Sequence, residues 1–217
     1  LYSVASERSW GIGDLTDLTD LAVWSSVRHG AGFILVNPLH AAAPSTPMEP
    51  SPYLPTSRRF VNPIYLRVEA IPEFACLRGR GRLRKARARL HRRAVAAELI
   101  DRDAVWQVKR AALEEVYRVP RSAGRELAYQ AFRRRHGRAL DDFATWCALA
   151  EEFGGDWRRW PVDLRHPDSP AVAGYAASHT ERVDFHRWLQ WQADDQLAAA
   201  QTTACTVGMT VGVIHDL

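Results

Sequence analysis

Lysine is nearly missing from this sequence: of 29 Lys and Arg residues, only Lys85 and Lys109 are lysines. Cysteine is sparse as well, with Cys76, Cys147 and Cys205 scattered and in neither CxxC nor metal-ligand spacing. That usage reads as free or buried thiols in a reducing compartment, and the cytoplasm is expected. No apolar run approaches the roughly 18 residues that a membrane-crossing helix requires. A charged-then-apolar leader is not read at the start either, so export is not expected. What remains is ordinary for a globular protein: 217 residues, 47% hydrophobic and 25% charged, with a net charge of +4.

Three short, β-branched or aromatic runs predict buried strands, at 1–5, 33–37 and 210–214. Between the first two, Leu15, Leu18, Leu21, Ala22 and Trp24 repeat at helical spacing. Asp14 supplies an N-cap and Gly30 a C-terminal stop. Strand, helix, strand in this order predicts a βαβ unit with parallel strands. Eight of the 12 prolines then fall between Pro38 and Pro72, which predicts a long, stiffened loop of the kind that carries function. From there the pattern is helical, with helices expected at 83–100, 103–118, 123–136, 139–152 and 179–203.

The predicted class is α/β: strands 1–3 of an incomplete (β/α)8 TIM barrel with a largely helical inserted subdomain. An open nucleotide-binding sheet fits less well, because the loop Ser9–Asp14 lacks a G-x-G-x-x-G phosphate cradle. The division expected is 1–69 for two barrel strands and a substrate loop, 70–178 for the helical insert, and 179–217 for a helix leading into the third strand. Leu1-Tyr2-Ser3-Val4 opens without Met and the chain closes on a strand, so a piece of a longer protein is expected.

Barrel chemistry sits on loops after the strands. The loop Ser6–Asp14 offers Glu7, Arg8, Ser9 and Asp14, though helix capping accounts for the last. The stretch Ser51 to Pro63 combines a hydroxyl, an aromatic ring, two guanidiniums and an amide on a proline-braced backbone. Sugar sites use that mixture, a flat apolar ring flanked by fixed donors and acceptors. The plain alternative is a lid whose arginines pair with carboxylates of the insert. Asp216 follows the third strand directly, where a carboxylate can meet a ligand, while His215 is expected to be a core histidine. Nine Lys and Arg residues between Arg78 and Arg93 read as a solvated helix face, and no nucleic-acid partner is expected, since aromatics for base stacking are lacking. The remaining histidines show no ligand spacing, and no metal site is expected.

Five segments in order carry a resemblance: Leu1-Tyr2-Ser3 with Ser9-Trp10-Gly11-Ile12-Gly13-Asp14; Asn37-Pro38-Leu39-His40-Ala41; Ser51-Pro52-Tyr53 with Ser57-Arg58-Arg59-Phe60 and Asn62-Pro63; Phe185 to Gln192; and Gly212 to Leu217. Together they resemble the amylomaltases (disproportionating enzymes), the 4-α-glucanotransferases of glycoside hydrolase family 77 in the α-amylase clan. The resemblance implies a (β/α)8 enzyme that needs no cofactor and moves α-1,4-glucan segments to the 4-hydroxyl of a glucose or maltodextrin by a retaining double displacement. It implies an Asp nucleophile, a Glu acid/base and a second Asp at positions beyond Leu217, leaving no catalytic residue here and an inactive isolated chain. It also implies substrate binding by Tyr53, stacking under the sugar, with Ser51 beside it and Asp216 contacting the same sugar. His215 stands where many members have Gly. Arg58 and Arg59 are expected to brace the loop. The alternative is a complete, non-catalytic glucan-binding module.

Overall fold

The computed structural model describes residues 1–216. The Asp14 carboxylate accepts from the amides of Thr16 and Asp17 at the start of α1 (Leu15–His29), and the Asp17 carboxylate accepts from the Asp14 amide, a reciprocal capping box. Gly30 ends the helix at φ 63°, a left-handed geometry that glycine adopts without a Cβ penalty. Both ends fall where the sequence put them. β1 (Phe33–Val36) follows.

The strand expected at 1–5 does not form. The Val4 amide turns back to the Leu1 carbonyl at 2.9 Å, and the Tyr2 carbonyl takes the Gly13 amide at 3.3 Å. With its polar groups spent on local turns, the segment has no ladder to join, and an isolated strand is not stable alone. A Cβ on Gly13 would lie 2.0 Å from the Val4 carbonyl oxygen, so the glycine is what lets this loop lie against the opening residues.

The proline-rich segment is also less loop-like than its composition suggests. β2 (His40–Ala41) and β3 (Ser57–Val61) pair antiparallel, with His40 opposite Val61. It is anchored on the helices that follow: the Met48 amide donates to Asp103 at 2.8 Å and the Trp106 indole to the Pro44 carbonyl at 3.3 Å. Short 3-10 turns cover 63–76.

Helices α2 (Arg80–Ala96), α3 (Arg102–Tyr117), α4 (Ala123–His136) and α5 (Arg138–Phe153) match the expected ones within a few residues. The next, α6 (Pro170–Ser178), was not expected. Its start signals, Ser169 as cap and Pro170 at the first turn, are present, but the helix is short and carries Gly174. The long α7 (Thr180–Thr206) buries Phe185, Trp188, Leu189, Trp191 and Ala200 in the main core, which also takes in Trp10, Ile12, Leu18, Val36, Phe60 and Trp106. β4 (Gly212–His215) completes the described chain and pairs in parallel with β1, Phe33 opposite Gly212 and Val36 opposite His215. Among the described residues, the parallel sheet is therefore this one pair, where three strands were expected.

Three glutamines of α7 hold the strands and loops that carry the site. Gln190 accepts from the Val61 amide at 3.0 Å and donates to its carbonyl at 2.9 Å. Gln196 makes the same pair with Arg67, both at 2.9 Å. Gln201 accepts from Val213 at 2.7 Å and donates to Val211 at 2.9 Å. Each amide side chain stands in for a missing neighbouring strand and satisfies main-chain groups that burial would otherwise penalise.

Candidate functional site

Parallel register decides what meets at the strand ends. With Val36 opposite His215, the next residues, Asn37 and Asp216, come out side by side, and the Asp216 amide extends the ladder to the Val36 carbonyl at 3.1 Å. Tyr53 reaches this point from the proline loop. Its hydroxyl accepts from Asn37 Nδ2 at 3.1 Å and donates to Asp216 Oδ2 at 3.3 Å. Its side chain remains 54% exposed, so the residue is not spent on core packing.

Ser51 shapes the loop that presents Tyr53. The Tyr53 amide donates to Ser51 Oγ at 3.3 Å, the Leu54 amide to the Ser51 carbonyl at 3.3 Å, and the Ser51 amide to Glu49 Oε1 at 2.9 Å. These bonds make a hydroxyl-supported turn that aims the ring.

Two imidazoles stand near the carboxylate. Desolvation, helped by the Arg58 guanidinium, lowers the pKa of His40 below the ordinary 6.5 against the opposing pull of Asp216. Partial desolvation, with His40 beside it, lowers that of His215 too. Both rings are thus neutral near pH 7. The result is an open aromatic ring bordered by a carboxylate and an amide, a surface suited to a polyhydroxylated ring.

Tyr53 and Asp216 therefore meet, and Ser51 lies in the turn that presents Tyr53. Asn37 also belongs to the cluster and was not singled out from sequence. The signal for Asn37 was its position, a polar residue directly after a parallel strand.

Among the other candidates, one expectation changes. His215 is not buried as a core histidine among the described residues: it ends β4 with an exposed side chain. Arg58 and Arg59 form no ion pair with the helical segment; both are exposed, and Arg59 lies 5.9 Å from the Phe60 ring centroid. Of the first loop, Ser9 and Asp14 are buried in a charge network, in which Arg67 donates to Asp14 and to Asp17 at 2.8 Å, and Ser9 donates to Asp17 at 2.6 Å. Their role is structural. The arginines of α2 lie mostly exposed, with Leu83 and Leu90 turned inward, as a solvated face requires. Among the described residues, no group of three or more His, Cys, Asp or Glu could hold a metal ion. Among these residues no helix is long and apolar enough to cross a membrane.

A family model described as 4-alpha-glucanotransferase matches residues 1–217. The chain belongs to the 4-alpha-glucanotransferase family. It is 63% identical over 223 residues to the 4-alpha-glucanotransferase of Mycobacterium tuberculosis (strain H37Rv), a match that covers 100% of this chain and 31% of that protein. The Haemophilus influenzae 4-alpha-glucanotransferase is 30% identical over 240 residues, with 100% and 33% covered. Among solved structures, amylomaltase from Corynebacterium glutamicum superposes with a TM-score of 0.84 at 43% identity, covering 100% of this chain and 29% of that one. An amylomaltase from Streptococcus agalactiae, in complex with acarbose, shares the fold at a TM-score of 0.75 and 17% identity, with 100% and 41% covered. This member of the 4-alpha-glucanotransferase family thus spans about a third of the length of the relatives it matches.

Proposed function

We propose that this chain supplies the donor-sugar site of a 4-α-glucanotransferase, an enzyme that moves α-1,4-glucan segments between maltodextrins. The observation that carries the reading is the meeting of Tyr53 and Asp216, which come from distant parts of the chain and converge beside an exposed ring. The ring offers a stacking face for one glucose, Asp216 accepts from its hydroxyls, and Ser51 holds the turn that aims Tyr53. No cofactor is called for. The three free cysteines accord with a reducing compartment, and we place the protein in the cytoplasm.

Retaining transfer needs two carboxylates about 5 Å apart, one as nucleophile and one as acid/base. Asp216 faces Tyr53, and Glu49 is engaged by the Ser51 amide. The nucleophile and acid/base are therefore assigned to the rest of the protein, and the sheet pair β1·β4 to a (β/α)8 barrel completed there. In this reading 1–69 and 179–217 build the barrel side and 70–178 the helical insert.

The test is disproportionation of maltotriose into longer dextrins by the protein expressed from its entire reading frame. Transfer that drops sharply on Asp216→Asn supports the reading. Saturable maltodextrin binding without any transfer would favour the glucan-binding module instead. The 217-residue chain alone is expected to be inert in the same assay.

A further inference from the structure

A second aromatic surface lies beside the first. After α5, Gly154 and Gly155 break the helix, and Asp156 caps a short turn over Trp157–Arg159. Trp160 is absorbed into the fold: it is buried, its indole N–H donates to the Gly154 carbonyl at 2.7 Å, and it packs on Trp146 with ring centroids 5.8 Å apart. Trp157 is not absorbed, and its side chain is 49% exposed. The indoles of Trp146 and Trp157 line a groove of about 340 Å³, rimmed by Thr56, Ser57, Asp142 and Arg165. That volume lies in the range of small-ligand sites, roughly 300–1,000 Å³.

The rim is chemically unspent. Arg165 Nε donates to the Trp160 carbonyl at 2.8 Å, and its terminal nitrogens donate to no partner among the described residues. Asp142 receives only a 3.3 Å contact from Arg138. Indole faces between hydroxyls, a carboxylate and a free guanidinium suit a ligand with flat apolar faces and equatorial hydroxyls. A purely apolar ligand or helix would leave the terminal nitrogens of Arg165 without a partner.

Position favours one occupant. Thr56 and Ser57 come three and four residues after Tyr53, and three residues of chain span at most about 11 Å. The two surfaces are also held together. A Cβ on Gly155 would lie 2.9 Å from that of Ala43, and Phe143 stacks on Phe60 of β3 at 4.2 Å.

We propose that the Trp146–Trp157 groove is a second α-glucan contact, which holds remote glucose units of the same chain whose reacting end sits at Tyr53 and Asp216. The inference rests on the sugar-site reading above and extends it to donor length. Trp157 serves as a positioning residue there.

The experiment uses the protein expressed at full length, with Trp157→Ala, Trp157→Phe and Tyr53→Ala, and maltotriose or long linear amylose as donor. Trp157→Ala is expected to raise the ratio of KM for amylose to KM for maltotriose about tenfold with little change in kcat, and Trp157→Phe to restore most of it. A ratio that stays at the wild-type value, while Tyr53→Ala still impairs maltotriose, overturns the groove and leaves the Tyr53 site standing. Equal loss with both donors, or loss that Phe does not rescue, also overturns it, as structural damage or a bound protein segment would give that result. If Tyr53→Ala has no effect with either donor, the underlying sugar-site reading fails instead.

Discussion

The Tyr53 hydroxyl meets Asp216 Oδ2 at 3.3 Å, across 163 residues of intervening chain. For an O–H···O bond this is long, since well-formed ones fall near 2.7–2.8 Å. On the proposed sugar-site reading, a glucose hydroxyl replaces this loose contact. Asn37, 3.1 Å from the same hydroxyl, keeps the ring in place when that happens.

If stacking is what Tyr53 contributes, the ring matters and the hydroxyl does not. Tyr53→Ala should lower kcat/KM for maltotriose by about 10- to 100-fold, and Tyr53→Phe by no more than about threefold. Steady-state kinetics on the full-length protein read both. A Phe variant as poor as the Ala variant would rule stacking out.

Asp216→Asn keeps an acceptor for Tyr53 and removes the charge. Charge-assisted hydrogen bonds are roughly twice as strong as neutral ones, so kcat/KM should fall at least about tenfold with the melting temperature little changed. A variant with full activity would take Asp216 out of the site.

Gly212 sits at φ 89°, and a Cβ there would lie 2.5–2.8 Å from the Gln201 amide. That amide holds Val211 and Val213, and through them the strand that delivers Asp216. Gly212→Ala should destabilise by about 1–3 kcal/mol, a fall of several degrees in Tm. Gln201→Leu should do the same by orphaning the Val213 amide. Unaltered calorimetric melts in both would show that β4 is docked by other means.

Glu151 provides an acid-labile contribution. Burial pushes its carboxyl up, but His186, 3.2 Å away, and Arg182 outweigh that and hold it near 2, against an ordinary 4.5. Below 4.5 the unfolded chain takes up a proton that the folded one refuses, so this stability is full above pH 4.5 and lost as pH falls towards 2. Urea midpoints of the wild type and Glu151→Gln should converge over that window. A gap as wide at pH 2.5 as at pH 6 would assign the stability elsewhere.

Lys109 titrates in the opposite sense. Its ammonium is buried, donates to the Ile64 carbonyl at 2.6 Å, and has its pKa lowered by desolvation to about 8. Between pH 8 and the ordinary 10.5 the unfolded chain holds a proton that the folded one has lost, so stability from this group rises with pH across that range. Denaturation at pH 7 and pH 9.5 should show the rise in the wild type and its loss in Lys109→Met. The same rise in both would exclude Lys109 as its source.

Much of this protein was readable one segment at a time. The Asp14 and Gly30 caps, four helices of the 80–153 region and most of α7 depend on contacts within a few turns, and local signals sufficed. The proline-braced presentation of Tyr53 was legible for the same reason. The strand at 1–5, the β2·β3 pair, α6 and the exposure of His215 were not. Each depends on whether a partner lies alongside, and among the described residues the segment 1–5 has none where Ser57–Val61 finds His40–Ala41. The convergence of Asn37, Tyr53 and Asp216 also had to await the assembled chain. Parallel pairing aligns the ends of β1 and β4 only after α7 has brought them together, and one residue of slip would have turned Asp216 to the other face.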